Sequence, residues 1–398
     1  MPDRTGGMDR REFLARAGAY AVAAGSLSAQ SRAMSEYPVE MLAPEHVRIK
    51  DAATGADLLF VTSGPARDLN LYFHERSFLA DESVLLFTSE REQGGLMGYL
   101  FATGELMRFH SPEGPLTGAT AAKLHPSFYA LRGRQVLELT PCVDRSSDVR
   151  SAPSRAVLRE RLICTLDPHV SPVTSLNENS NGRLLSVGVR LAEGDVGIVV
   201  IALRDGVARL VCRMKEFGGH VQWSRSSPHH LSFAGRQERI MVVDVRHGEP
   251  RPAYHAAPKE LVTHEHWWVR DQIVFCGGYR EGESHVKLLD THTGDVRIIG
   301  AGAWWPEGTP AQLAKWNWWH PAGDEQGRWV AADNWHGDIV VFDGHTTRMH
   351  LVTQGHRTYG HGDHPHVGWD RKGRRLVFTS HLRGNVDVCV ASLDGVVE

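Results

Sequence analysis

From about residue 45 onward the apolar residues fall in short runs rich in Val, Ile and Leu, separated by polar turns. Val84–Thr88, Leu184–Val189, Gly197–Leu203, Ile240–Val245, Ile273–Cys276, Ile339–Phe342, Leu376–Thr379 and Val386–Val390 are such runs. Turn dipeptides punctuate them: Thr103-Gly104, Asp205-Gly206, Thr293-Gly294, Asp343-Gly344 and Asp394-Gly395. No long stretch has the 3.6-residue spacing of an amphipathic helix. The pattern predicts an all-β chain.

The runs also repeat. Phe78…Leu85-Leu-Phe-Thr-Ser89…Thr103-Gly104 parallels Trp369…Leu376-Val-Phe-Thr-Ser380…Asp394-Gly395. Further copies start near Leu176, Trp223, Trp267 and His320, with a degenerate one near Phe128. Seven units of about 50 residues predict a seven-bladed β-propeller spanning residues 34–398 as a single domain. A pair of β-sandwiches would leave the repetition unexplained. The hairpin Val47–Lys50 and Leu58–Thr62 precedes the first full unit and is expected to join the last blade, closing the ring and removing sheet edges.

Residues 1–33 read differently. Asp9-Arg10-Arg11-Glu12-Phe13-Leu14 followed by the Ala/Gly-rich run Ala15–Ala29 is the pattern of a twin-arginine export signal, implying a periplasmic or secreted protein. The run is too short and interrupted for a membrane span.

Composition adds two constraints. Forty-four Lys+Arg against 47 Asp+Glu give a net charge of −3, which excludes bulk nucleic acid as a partner. The five Cys have no close pair, so neither a disulfide framework nor a zinc finger is expected, and free buried thiols are. The chain also holds 23 His and 11 Trp; 18 of the His lie between His220 and His381, and every Trp lies between Trp223 and Trp369. The chemistry is therefore expected in the second half.

The strongest cluster there is His361-Gly-Asp363-His364-Pro365-His366. His364 and His366 are two apart, so on a strand they face the same side, and His361 can curl back from the preceding loop. Neutral imidazoles at this spacing suit a divalent transition metal. His320, in Trp316-Asn-Trp-Trp-His320-Pro, opens the preceding repeat and is placed to be a fourth ligand. His264-Glu265-His266-Trp267-Trp268 opens the repeat before that and lacks the second His of a zincin helix.

These motifs, with Glu238-Arg239-Ile240, Asn70-Leu-Tyr-Phe and His320 seven residues before Gly327, resemble the oligogalacturonate lyase family from Asn70 to the end of the chain. The resemblance implies cleavage of 4-linked uronate oligo- or polysaccharides by β-elimination, on an acidic oligosaccharide substrate. It implies His264 as the proton-abstracting base, Arg239 as the carboxylate-binding group, and His320, His364 and His366 as metal ligands. The metal it implies is Mn²⁺. The family has Gln where this chain has His361, and an imidazole there shifts preference toward borderline metals such as Zn²⁺, with Ca²⁺ a further alternative. Arg76 and Arg91 are weaker candidates for carboxylate contacts, and Trp267 and Trp319 for sugar stacking. The alternative is a non-catalytic periplasmic propeller of TolB-like scaffold that binds glycan or protein.

Overall fold

The computed structural model describes residues 34–397 except 93, 150–151, 281, 304–314 and 357–362. The export-signal segment and His361 lie outside the described residues. Among the described residues every regular element is a strand. None is a helix long and apolar enough to cross a membrane.

Neighbouring strands in sequence pair antiparallel, because the turns are too short for crossovers. The resulting sheets cover residues 170–214, with five strands, and 222–252, 261–300 and 322–353, with four each. Residues 68–108 and 117–165 form two more such meanders. These two are fused into one nine-stranded sheet by the strand Met34–Leu42, which pairs with Arg155–Thr165 through Met34–Val39 and with Leu106–Arg108 through Glu40–Leu42. Nothing in the hydrophobic pattern announces that strand, since its alternation is weak and Pro38 interrupts it. Proline is tolerated there because the strand is an edge until the neighbouring sheet meets it.

The last sheet takes strands from both ends of the chain. Gly368–Trp369, Arg375–Ser380 and Asp387–Ser392 pair in order, and Asp387–Ser392 then pairs with Asp57–Phe60, which pairs with Val47–Lys50. The register is Leu58↔Ala391, Leu59↔Val390 and Phe60↔Cys389. The expected hairpin therefore lies on the last sheet.

The innermost strands are only two residues long in several sheets and touch one another in chain order. Asn177–Glu178 meets Gln222–Trp223, which meets Leu261–Trp267, then Ala322–Gly323, then Gly368–Trp369. Sheets stacked radially in this way make a β-propeller. Apolar residues from facing sheets fill the space between blades. One cluster joins Ala322, Trp329, Ile339 and Val341 to Trp369, Leu376, Phe378 and Cys389. Another joins Trp268, Val274 and Leu288 to Trp318, Val330 and Phe342. All five Cys are free, and Cys212, Cys276 and Cys389 are buried, as their apolar runs require.

Trp268 shows how tightly these seams close. Its indole N–H donates to Asp324 Oδ1 at 3.1 Å. A Cβ on Gly344 would lie 2.1 Å from its Cη2, and one on Gly323 2.1 Å from its Cδ1. Both glycines serve to admit the indole. Gly344→Ala should therefore destabilise by about 1–3 kcal/mol through overpacking, read as a lowered midpoint in thermal or urea unfolding.

Candidate active site

The segment that follows Asp68–Asn70 crosses to the axis and places Tyr72, Phe73 and His74 there. Phe73, fully buried, is the hub. Its ring centre lies 5.3–6.4 Å from those of His74, His220, His264, His266, His320 and His366. The histidines come from different blades, and convergence of the innermost strands brings them together.

Four of the predicted residues lie in this cluster. The ring centre of His320 is 4.3 Å from that of His264, 4.2 Å from His366 and 5.3 Å from His364. Two imidazoles sharing one ion through nitrogens about 2.1 Å from it place their ring centres about 4.5–5 Å apart. His366 Nδ1 donates to the His364 carbonyl at 3.0 Å, which leaves its Nε2 as a lone pair. His320 Nδ1 meets Asp333 Oδ2 at 2.8 Å, and the His320 backbone N–H donates to Asp333 Oδ1 at 2.8 Å. His320 Nε2 is buried with no hydrogen-bond partner. An imidazole fixed by a carboxylate on one nitrogen, with the other facing a site, is the arrangement that orients metal-binding histidines. Among the described residues, however, no three His, Cys, Asp or Glu side chains stand close enough to hold an ion by themselves.

Backbone strain concentrates here. His220, His264 and His366 have φ of 54°, 50° and 47°, the left-handed region that non-glycine residues avoid. His264 sits in a break of register between Thr263 and His266, which turns its ring toward His320. Such strain persists only where surrounding packing holds it.

Arg239 Nε donates to Glu265 Oε2 at 2.8 Å, and Glu265 is wholly buried. Burial alone would raise the Glu265 carboxyl, but His220 and Arg239 beside it hold it at about 2. Glu265 thus anchors Arg239 through one nitrogen, and the side chain stays partly exposed. His220 Nε2 lies 3.2 Å from the Tyr72 hydroxyl, and His220 Nδ1 3.3 Å from Glu265 Oε1.

The other predicted residues have different surroundings. Trp319 stands beside the cluster, its ring 4.8 Å from His264 and 5.7 Å from His364. Trp267 is packed against Ile240, Val242, Ile273, Phe275 and Leu289, with no open face for a sugar. Arg91 is held by Glu45, Asp68 and Ser89. Arg76 is joined to Glu325 and Glu178 rather than to the histidines. His74, His220 and Asp333 are site residues that motif reading overlooks, and Tyr72, within the Asn70-Leu-Tyr-Phe motif, is given no role by it. For His220 a signal exists: His220…Arg225, His320…Glu325 and His366…Arg371 share one five-residue spacing around an innermost strand.

No protein-family model matches the sequence, and no curated protein sequence matches it. Comparison with solved structures is more informative. An oligogalacturonate lyase from Vibrio parahaemolyticus superposes with a TM-score of 0.71 at 13% identity, over 90% of this chain and 99% of that one. An oligogalacturonate lyase in complex with manganese gives 0.69 at 15% identity, over 90% and 97%. In fold, the chain is similar to oligogalacturonate lyase. WD40 repeats of RRP9 superpose less well, with a TM-score of 0.53 at 9% identity over 87% of this chain and 99% of that one.

Burial holds the clustered imidazoles neutral. It depresses His74, His264, His266, His320 and His364 below their ordinary value, His366 to about 3 and, in the last blade, His356 to about 4. For His264 the neighbouring His220 and Arg239 add repulsion. Each such group takes up a proton on unfolding below about pH 6.5, so its stabilising contribution is full above that pH and is lost as pH falls. Burial also raises Glu75 to about 7, Asp333 to about 8 and Asp387 to about 6, and lifts Asp68 and Asp324, all of which acts in the opposite sense, but these five acids are outnumbered by seven histidines. The unfolding temperature should therefore drop as pH is lowered from 7 to 5; a flat or rising profile in calorimetry would contradict neutral burial.

Proposed function

We propose that the chain is a seven-bladed β-propeller, closed by its N-terminal hairpin, that cleaves a 4-linked uronate oligo- or polysaccharide by metal-assisted β-elimination. The observation that carries this reading is the approach of His264, His320 and His366 around an unpartnered His320 Nε2. The similarity in fold to oligogalacturonate lyases is consistent with it. Residues 1–33 would export the folded protein by the twin-arginine route.

The proton at C5 of a uronate is only weakly acidic. Its removal leaves negative charge on the adjoining carboxylate, so the site must stabilise that charge. His264, neutral and set beside Arg239 and His320, takes the C5 proton on a ring nitrogen; the C–H electron pair forms the C4–C5 double bond, and the C4–O4 bond breaks with its electron pair going to O4, which takes a proton from solvent and leaves as the hydroxyl of the released sugar. Arg239, anchored by Glu265, offers its outer nitrogens to the uronate carboxylate. Trp319 walls the site beside His264 and His364 and gives the sugar ring a face.

His320, His364 and His366 would hold a divalent metal, with His361 a fourth candidate ligand. The ion would supply Lewis-acid neutralisation of the carboxylate. Asp333, accepting from His320 Nδ1, leaves the Nε2 lone pair free, and it would be available to the ion. Nitrogen donors fit Zn²⁺ or Mn²⁺ better than Ca²⁺.

Incubation with a panel of uronate oligosaccharides and Mn²⁺ should generate the ultraviolet absorbance of an unsaturated uronate. His264→Ala should lower the rate by roughly 10²–10⁴-fold, and EDTA should abolish it. New reducing ends without absorbance would indicate a hydrolase, and no turnover by metal-loaded protein would favour a glycan- or protein-binding propeller. Asp333→Asn should weaken metal affinity by about 10–100-fold while leaving the fold intact, measured by metal titration without substrate.

A further inference from the structure

The spacing that places a histidine before each of three innermost strands also places a charged residue after it. His220, His320 and His366 precede Gln222–Trp223, Ala322–Gly323 and Gly368–Trp369 by two residues; Arg225, Glu325 and Arg371 follow by two. Five residues of extended chain span about 16 Å. The axis therefore has a second charged ring at the opposite ends of the same strands. Lys123, two residues after Thr117–Ala121, takes the equivalent place. Arg76 joins this ring through Glu325 at 3.1 Å and Glu178 at 3.4 Å.

The charges in this ring do not balance. Arg76, Lys123, Arg225 and Arg371 face Glu178, Glu325 and, beside Arg225, Asp324. The carboxylates are also committed elsewhere. Glu178 accepts from the Lys123 backbone N–H and the Tyr129 hydroxyl, and Asp324 Oδ1 from Trp268 and the N–H groups of Gly327 and Trp329. Arg225 donates one nitrogen to His266 Nε2 at 3.1 Å, and its Nη1 is buried with no hydrogen-bond partner. Arg371 donates to the carbonyls of Phe78 and Ala122, and its Nη1 is likewise buried without a hydrogen bond, 3.6 Å from Glu325. Burial and mutual repulsion depress Arg225, Arg371 and Lys123, Arg371 to about 10. Buried unpaired guanidinium nitrogens are costly unless something accepts from them.

We propose that this ring is an anion site, separate from the histidine cluster, that takes a small free oxyanion of the phosphate or sulfate class. Guanidinium groups from different strands match an acceptor with several oxygens and not a monatomic ion. Water reaches the ring, since the side chains of Arg76, Arg371 and Glu325 keep 13%, 11% and 22% of their surface. His266 is where the two meet: it packs on Phe73, ring centres 5.9 Å apart, and its Nε2 accepts from Arg225.

The test is calorimetric titration of the whole protein with sodium sulfate and phosphate at fixed ionic strength, with chloride as the balancing salt and thermal unfolding in parallel. The expected result is saturable one-site binding, and an unfolding temperature that rises with oxyanion but not with chloride. Arg225→Gln should weaken binding tenfold or more. Glu325→Gln, which removes a competing carboxylate, should tighten it several-fold, whereas a purely structural ion-pair network would only lose stability. Equal responses to sulfate and chloride in the unsubstituted protein would overturn the proposal without any variant having to fold. So would binding lost in Arg239→Gln and kept in Arg225→Gln, which would move the anion to the histidine cluster.

Discussion

The structure depends on one steric constraint: innermost strands of successive blades must run side by side along a common axis. Blades can pack only if their apolar faces meet, and the seams formed by Trp268, Trp318 and Phe342 or by Trp329, Trp369 and Phe378 set that distance. Once it is set, residues at the same place in each repeat converge. Histidines at one end of the short inner strands form a cluster, and charged residues at the other end form a ring.

Convergence has an electrostatic cost that shapes the site. Six clustered imidazoles packed away from water cannot be charged near neutrality, so they offer lone pairs instead. That suits both of the roles the proposed reaction needs, a base and a set of nitrogen donors. The same burial makes the site acid-sensitive. Glu265 remains ionised only because His220 and Arg239 compensate it, and in doing so it holds Arg239 in place. Left-handed backbone at His220, His264 and His366 is the conformational counterpart of this cost, sustained by the packing around Phe73.

Much of the fold is legible along the chain, because a repeated strand–turn pattern needs only local information. The apolar runs, the Gly-containing turns and the hairpin that joins the last sheet all correspond to strands and pairings. The strand Met34–Leu42 is not legible, because its place is decided by two sheet edges far away in sequence. At the site, the His264, His320, His364 and His366 motifs stand out through their residue types. His74 and Asp333 do not, since each is one ordinary polar residue until the axis brings it beside the others.

The sequence by itself determined the all-β character, the repeat and the residue types available for chemistry, because strand periodicity and turn preference are properties of neighbouring residues. Only the tertiary structure decided which of those residues meet. Arg76 and Trp267 look as suitable for a sugar acid as Arg239 and Trp319 do, yet Arg76 goes to the far ring and Trp267 into the core. The reason is geometric: on a strand or its flanks, a shift of a residue or two decides whether a side chain faces the axis, a neighbouring blade or the opposite end of the channel.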